Sequence, residues 1–228
     1  MTEKTLATGR AVILYDGRLL DHADETLFTP PTAAASPAGG RGSTWIVQQG
    51  GDEWVLRHYR RGGLLARFLD DSYLWTGLES TRPWREWRLL YELYKDDLPV
   101  PQPLAARVVR SGLLYRGDLI TRRIPKARSI AELLSVAAPV PWDAVGRCVR
   151  RFHDAGVWHA DLNAHNVLLD AEGRVHLVDF DRSGHRSGAT GWKQANLTRL
   201  RRSLDKLTQG RLEAAAWSSL LDGYRAGG

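Results

Sequence analysis

At 228 residues, with 43% hydrophobic and 25% charged residues, the chain has the length and composition of one large globular domain or two small lobes. Its formal net charge of +6 favours anionic partners, whether nucleic acid, phosphorylated lipid or an anionic membrane surface, without choosing among them. A single cysteine excludes an internal disulfide and a cysteine-ligated zinc cluster, and no apolar run approaches the ~20 residues that cross a bilayer. The expected protein is therefore neither secreted nor membrane-spanning, with peripheral attachment left open. Nine tryptophans are many for this length. Tryptophan suits sugar sites and membrane interfaces, and equally suits cores.

Residues 11–15 read as a short strand closed by Asp16-Gly17, and residues 29–42, rich in Pro, Ala and Gly, as a loop. Residues 43–48 and 53–59, joined by Gly50-Gly51-Asp52, read as a hairpin. Residues 64–75 have mixed helical spacing. A stronger helix is expected over 83–93, with Pro83 in its first turn and Trp87, Leu90 and Leu93 on one face. The prolines of 98–103 force an extended connector, after which 105–110 and 113–120 read as strands. From residue 121 the pattern turns helical, at 129–134 and 142–153. The second of these carries Cys148 among Val145, Val149 and Phe152 as a buried filler. Two short strands, 167–169 and 175–178, precede helices at 196–207 and 212–224. The order suggests an α+β chain with a β-rich N-terminal lobe (1–121) and a small helical C-terminal lobe (122–228).

The chemistry is concentrated in His159-Ala160-Asp161-Leu162-Asn163-Ala164-His165-Asn166 and, beyond a strand-turn-strand, in Asp179-Phe180-Asp181. Phosphoryl transfer from ATP asks a protein for positioning and for compensation of negative charge. Mg²⁺ takes oxygen ligands, so a carboxylate and an amide oxygen are its expected holders, while a second carboxylate orients the acceptor hydroxyl. Asp161 and Asn166 share one loop, and a β hairpin is a short route for returning Asp179 beside them. Asp161 is expected to be the catalytic base, Asn166 and Asp179 the metal ligands, and His159 a brace. Asn163 and His165 suit either the acceptor or solvent. Upstream, Gly39, Gly40, Gly42 and Ser43 precede a β run and could cradle phosphates through backbone N–H groups. Arg57 lies on the next strand, with Glu86 on the following helix as its natural partner. His58 and Tyr59 could serve packing or binding.

These residues resemble the protein-kinase scheme, His-Arg-Asp-Leu-x-x-x-Asn followed by Asp-Phe-Gly, with Ala160, Asp181 and Arg57 departing from it. The resemblance implies a bilobal protein-kinase-like fold. It also implies ATP bound under the 39–44 loop, with Gly40, Gly42, Ser43, Arg57 and Glu86 as its nucleotide-side residues. No Ala-Pro-Glu segment follows Asp181, which favours a compact acceptor over a polypeptide. The blocks 40–45, 56–64, 73–79, 85–90 and 159–166 are similar to the Kdo kinases, a family of lipopolysaccharide-core kinases of Gram-negative bacteria that act on 3-deoxy-D-manno-octulosonic acid. That resemblance, over residues 40–205, implies ATP- and Mg²⁺-dependent phosphorylation of the 4-hydroxyl of Kdo on Kdo-lipid IVA. It further implies peripheral association with the cytoplasmic, anionic face of the inner membrane, and suggests neither nucleic acid nor an obligate protein partner. The clusters 57–61, Arg82/Arg85/Arg88 and Arg122/Arg123/Lys126/Arg128 are candidates for contacting lipid phosphates, the Kdo carboxylate or the membrane. On the residues alone, another small acceptor such as heptose or an aminoglycoside, and a non-catalytic lipid- or nucleotide-binding module, remain open.

Overall fold

Alternating apolar residues build the first half of the chain. In a computed structural model, which describes residues 2–30, 44–60, 71–188 and 191–227, they form one antiparallel sheet. Its strands are β1 (Glu3–Thr8), β2 (Ala11–Asp16), β3 (Thr44–Gln49), β4 (Asp52–His58), β5 (Tyr73–Leu74), β6 (Pro103–Ser111) and β7 (Leu114–Arg122). They run in the order β1-β2-β6-β7-β4-β3, with β5 also paired to β7. In β4 the alternation buries Trp54 and Leu56, which join Ile13, Leu104 and Ile120 in the core. Gln49 pairs directly with Asp52, so the β3–β4 turn is the pair Gly50-Gly51. Both have positive φ (57° and 89°), the backbone that a two-residue hairpin requires and that glycine adopts without cost.

Helix α1 (Arg82–Lys95) follows, with Trp84, Trp87, Leu90 and Leu93 buried against the sheet. The approach is close at Gly117 of β7, where a Cβ would lie 2.2 Å from Pro83 Cγ. Of the stretch read as helically spaced over 64–75, residues 64–70 lie outside the described residues, and Tyr73–Leu74 is a strand rather than a helical turn. Aromatic and β-compatible side chains pairing with Tyr115 and Leu114 override the weak helical spacing there. β1 was not expected. It is an edge strand whose residues are mostly exposed, so its sequence lacks the alternation that marks a half-buried strand.

Clustering of contacts divides the chain into two compact units, Met1–Lys95 with Pro101–Arg123, and Asp96–Val100 with Ile124–Gly228. The second unit takes in part of the proline-rich connector, since Pro99 O accepts from Leu177 N–H at 2.9 Å. Its elements are β8 (Arg128–Ser129), α2 (Ile130–Ser135), α3 (Trp142–Asp154), β9 (Val157–Trp158), β10 (Val167–Leu169), β11 (Val175–Leu177), β12 (Gly184–His185), α4 (Gly191–Leu207) and α5 (Ala214–Ala226). A small sheet runs β11-β10-β8 and a second pairs β12 with β9. The chain is thus α+β, with a β-rich first unit and a helix-rich second one, as expected of the kinase scheme.

α3 and α5 cross through two glycines. A Cβ on Gly146 would sit 1.9 Å from Leu220 O, and one on Gly223 would sit 2.0 Å from Asp143 O. These neighbours are backbone atoms, which cannot swing aside, so any side chain must push the helices apart. Gly223→Ala is expected to destabilise the second unit by about 3 kcal/mol, the upper end of overpacking costs. Thermal unfolding followed by circular dichroism checks this, and an unchanged melting temperature contradicts it.

Candidate active site

Between β9 and β10 the chain leaves the sheet as a loop, residues 159–166, and it returns beside that loop after β11. The two stretches are locked at one residue. Val178 N–H donates to Asn166 O at 3.0 Å, and Val178 O faces His159 Nε2 at 3.0 Å. The other ring nitrogen, Nδ1, lies 3.2 Å from the Asp161 N–H. A carbonyl only accepts and an amide N–H only donates, so His159 is the neutral tautomer with its proton on Nε2. Burial (2% exposed) pushes its pKa down and favours that neutral form. The His159 ring therefore fastens Asp161 on one side and the residue before Asp179 on the other.

The polar chemistry fans out from this lock. Asn166 Nδ2 donates to Asp161 O at 2.9 Å, leaving the amide oxygen of Asn166 as its acceptor group. Asp179 adopts a left-handed φ of 63°, a conformation that Asp tolerates better than most residues. The Asp179 side chain is exposed while the next residue, Phe180, is fully buried against His159 and Phe152, with ring centroids 4.8 and 5.7 Å away. A buried Phe next to an exposed Asp fixes which way the segment faces. Ser183 closes the turn by donating N–H to Phe180 O at 2.9 Å, and its hydroxyl accepts from Ala160 N–H at 3.0 Å.

Among the described residues no group of three or more His, Cys, Asp or Glu is arranged to hold a metal. A carboxylate from Asp179 and an amide oxygen from Asn166 nevertheless fit Mg²⁺, which takes oxygen ligands and keeps several of its waters.

α4 anchors the loop from behind. The Asn196 side chain accepts from His159 N–H at 3.2 Å and donates to His159 O at 2.9 Å, while Ser203 Oγ accepts from Ala164 N–H at 3.1 Å. Asn196 Oδ1 also faces His153 Nε2 at 3.4 Å, and His153 Nδ1 faces Tyr224 OH at 2.8 Å. His153 thus ties α3 to α4 and α5, and burial lowers its pKa to about 4. Cys148, on the same helix, is buried as expected, and burial pushes its thiol up to about 12.

In front of the loop a groove of about 850 Å³ opens, lined by Asp161 and His165 on one side and by Arg199, Arg202, Lys206 and Leu207 of α4 on the other. Arg199 Nη1 lies 3.4 Å from Asp161 Oδ1, an exposed ion pair.

In the first unit Arg57 is bonded to Glu86, whose side chain is nearly fully buried. Tyr59 OH donates to the same Glu86 oxygen at 2.6 Å, and Arg57 Nη2 donates to Tyr59 OH at 3.1 Å. The Arg57 guanidinium also lies 4.7 Å from the Tyr59 ring centroid. Burial and the neighbouring Glu86 carboxylate raise the Tyr59 pKa well above its usual value. Tyr59 is therefore an interior hydrogen-bonding partner of the Arg57–Glu86 pair. Gly40, Gly42 and Ser43 lie outside the described residues.

Several residues of the basic clusters singled out in the sequence are engaged internally. Arg88 pairs with Glu3 and Glu79, Arg122 with Asp52 and Arg123 with Glu53. Trp54, Trp84 and Trp87 are buried in the first unit, so these three serve the core. The residues that sequence reasoning missed are Asn196, Ser183 and Ser203, which brace the loop, and the cations of α4. Helical spacing of Arg199, Arg202 and Lys206 was the available signal for the last group.

A strand Arg held by a helix Glu, and an Asp/Asn loop locked to a returning Asp, together define a kinase-type phosphotransferase. Residues 29–224 match the lipopolysaccharide kinase (Kdo/WaaP) family, and the chain belongs to that family. It is 49% identical over 204 residues to a protein of Xanthomonas axonopodis pv. citri named 3-deoxy-D-manno-octulosonic acid kinase, covering 87% of this chain and 82% of the relative. A Stenotrophomonas maltophilia protein of the same name is 47% identical over the same shares. Among solved structures, the bifunctional kinase-methyltransferase WbdD aligns with a TM-score of 0.45 at 18% identity, over 84% of this chain and 45% of that one. The chain is an ATP-dependent kinase.

His153 gives a signed pH dependence. Its folded pKa of about 4 lies below the ordinary value of 6.5, so the unfolded chain binds the extra proton between those limits. Stability is accordingly lost as pH falls from about 6.5 towards 4, by up to roughly tenfold per pH unit in the unfolding constant. His159 adds in the same direction. His58, whose pKa is raised chiefly by its hydrogen bond to Asp118, acts in the opposite direction, since its contribution is present below the ordinary value of 6.5 and is lost as pH rises through the folded pKa. Denaturant titrations at pH 7, 6 and 5 should show a slope that His153→Gln reduces by about one proton, and an equal slope in both proteins contradicts the assignment.

Proposed function

We propose that the chain transfers the γ-phosphoryl group of ATP to the 4-hydroxyl of Kdo on Kdo-lipid IVA, a step in assembling the lipopolysaccharide core. The observation that carries the choice of acceptor is the 49% identity, over 87% of the chain, with a relative that bears the Kdo kinase name. The chemistry rests on the locked loop. Asp161 accepts a hydrogen bond from the acceptor hydroxyl, aims its oxygen at the γ-phosphorus and takes the proton late, because a loose transition state needs little early deprotonation. Asn166 and Asp179 are the residues that would hold Mg²⁺, which neutralises phosphate charge when bound. Arg57, kept in place by Glu86 and Tyr59, offers a planar guanidinium to phosphate oxygens where the kinase scheme has a Lys. The 39–44 loop is assigned the covering role over the nucleotide.

Peripheral attachment to the anionic cytoplasmic face of the inner membrane belongs to the same reading. Supporting it are the net charge of +6 and a tip on the β6–β7 hairpin where Leu113 (75% exposed) and Leu74 (60% exposed) flank Trp75. The Arg110 guanidinium lies 4.8 Å from the Trp75 ring centroid, and the exposed Arg116 of β7 pairs with Asp71 at 3.0 Å. Apolar and aromatic side chains ringed by Arg suit the interface of an anionic bilayer. No helix of the described residues is long and apolar enough to cross a membrane.

Incubation with ATP, Mg²⁺ and Kdo-lipid IVA, followed by mass spectrometry of the lipid, should show one added phosphate on the Kdo residue. Asp161→Ala should lose at least about a thousandfold in kcat, which corresponds to about 4 kcal/mol of barrier, while still binding nucleotide. Asp179→Ala should instead weaken Mg²⁺-dependent nucleotide binding. No phosphate gain by the unaltered protein, or near-normal turnover in Asp161→Ala, would sink the reading.

A further inference from the structure

α4 has two faces. Asn196, Leu197, Leu200 and Leu204 are buried, whereas Arg199, Arg202 and Lys206, spaced i, i+3 and i+7, line the groove in front of Asp161. The three cations meet one carboxylate there, Asp161, which engages Arg199 at 3.4 Å. Among the described residues Arg202 and Lys206 have no ion-pair partner, and the nearby Asp205 is bonded to Arg201 at 2.9 and 3.0 Å. Several Arg residues elsewhere are paired with Glu or Asp within their own unit, among them Arg88, Arg122, Arg123, Arg150 and Arg174. A cationic stripe left unmatched inside a concave site is suited to an anionic ligand, because clefts lined by one sign of charge concentrate the opposite one.

The stripe has a length as well as a sign. Arg199 to Lys206 is seven residues of helix, about 10 Å, starting at the side chain assigned to the acceptor hydroxyl. A ligand that places a hydroxyl at Asp161 and an anionic group a few ångströms away, on the same ring, fits that span. Arg is well matched to such a group, since its fork meets the two oxygens of a carboxylate together.

We propose that Arg199, Arg202 and Lys206 form the acceptor-recognition face of this enzyme, receiving the carboxylate of an acidic sugar whose hydroxyl lies at Asp161. The assignment rests on the reaction proposed above. It adds the specificity determinant: a neutral sugar of the same size leaves the stripe unmatched and is held poorly. The apolar end of the groove at Leu207 (40% exposed) then faces the remainder of the acceptor.

Steady-state kinetics on the full chain test this with Kdo-lipid IVA, its Kdo methyl ester and a lipid-dephosphorylated form. Arg202→Ala and Lys206→Ala should each raise the acceptor KM about tenfold, with kcat within about threefold and the ATP KM unmoved. Arg225→Ala, on the exposed end of α5, is the control and should leave both KM values unchanged. Esterifying the carboxylate should raise the KM of the unaltered protein about tenfold and add little to Arg202→Ala. Unchanged acceptor KM in both variants overturns the proposal while leaving the reaction intact. So does a KM that responds to the lipid phosphates and ignores the ester. If the unaltered protein phosphorylates no Kdo acceptor, the reaction assignment falls, and NMR titration with free Kdo decides the groove separately. Shifts in α4 that vanish in Arg202→Ala support the proposal, and their absence in the unaltered protein overturns it.

Discussion

The backbone of Val178 is the constraint on which the second unit's chemistry depends. Its N–H donates to Asn166 O and its carbonyl accepts from His159 Nε2, so the two peptide groups flanking a single Cα join the loop that carries Asp161 to the turn that carries Asp179. His159 extends the lock by accepting from the Asp161 N–H. A buried neutral imidazole suits this role because it has one donor and one acceptor on opposite sides of a rigid ring. Behind it, Asn196 bonds both the N–H and the C=O of His159, so the brace is itself held by α4. Exposed side chains such as those of Asp161 and Asp179, to which the proposed chemistry is assigned, depend on such backbone fixation, since solvent does nothing to orient them.

Charge is divided along the chain in a way that composition conceals. The net +6 suggests a broadly basic surface, yet Arg57, Arg88, Arg122 and Arg123 of the conspicuous clusters are engaged in ion pairs with Glu86, Glu3, Glu79, Asp52 and Glu53. Arg202 and Lys206, without an ion-pair partner among the described residues, stand on one face of α4 in the groove that also contains Asp161. Exposed ion pairs contribute little to stability. Their consequence here is the distribution they leave, with Arg202 and Lys206 unpaired in the groove where the acceptor is assigned.

The motifs were legible because their spacing encodes the geometry: Asp161 and Asn166 on one loop, a β pair, then Asp179, and in the other unit Arg57 on β4 and Glu86 on the helix α1. The elements themselves followed wherever one face is buried, as in β4, α1 and α3. The rest was illegible for physical reasons. Asn196, Ser183 and Ser203 are single polar residues whose role exists only through contacts with the 159–166 loop, so no local pattern marks them. β1 is an exposed edge strand without alternation, and Tyr73–Leu74 takes its conformation from pairing with β7. Tryptophan content pointed equally to core, sugar and membrane, and burial of Trp54, Trp84 and Trp87 assigns those three to the core.

The most direct test of the lock is the turnover of His159→Phe, which fills the ring's space and can make neither of its two hydrogen bonds. The expected result, measured on folded protein below its melting temperature, is a fall in kcat of about a hundredfold or more, with both substrate KM values within a few-fold. Loss of that size is what a displacement of about 1 Å in a catalytic group produces. Unaltered kcat in the folded variant would contradict the claim that His159 and the Val178 backbone position the catalytic groups.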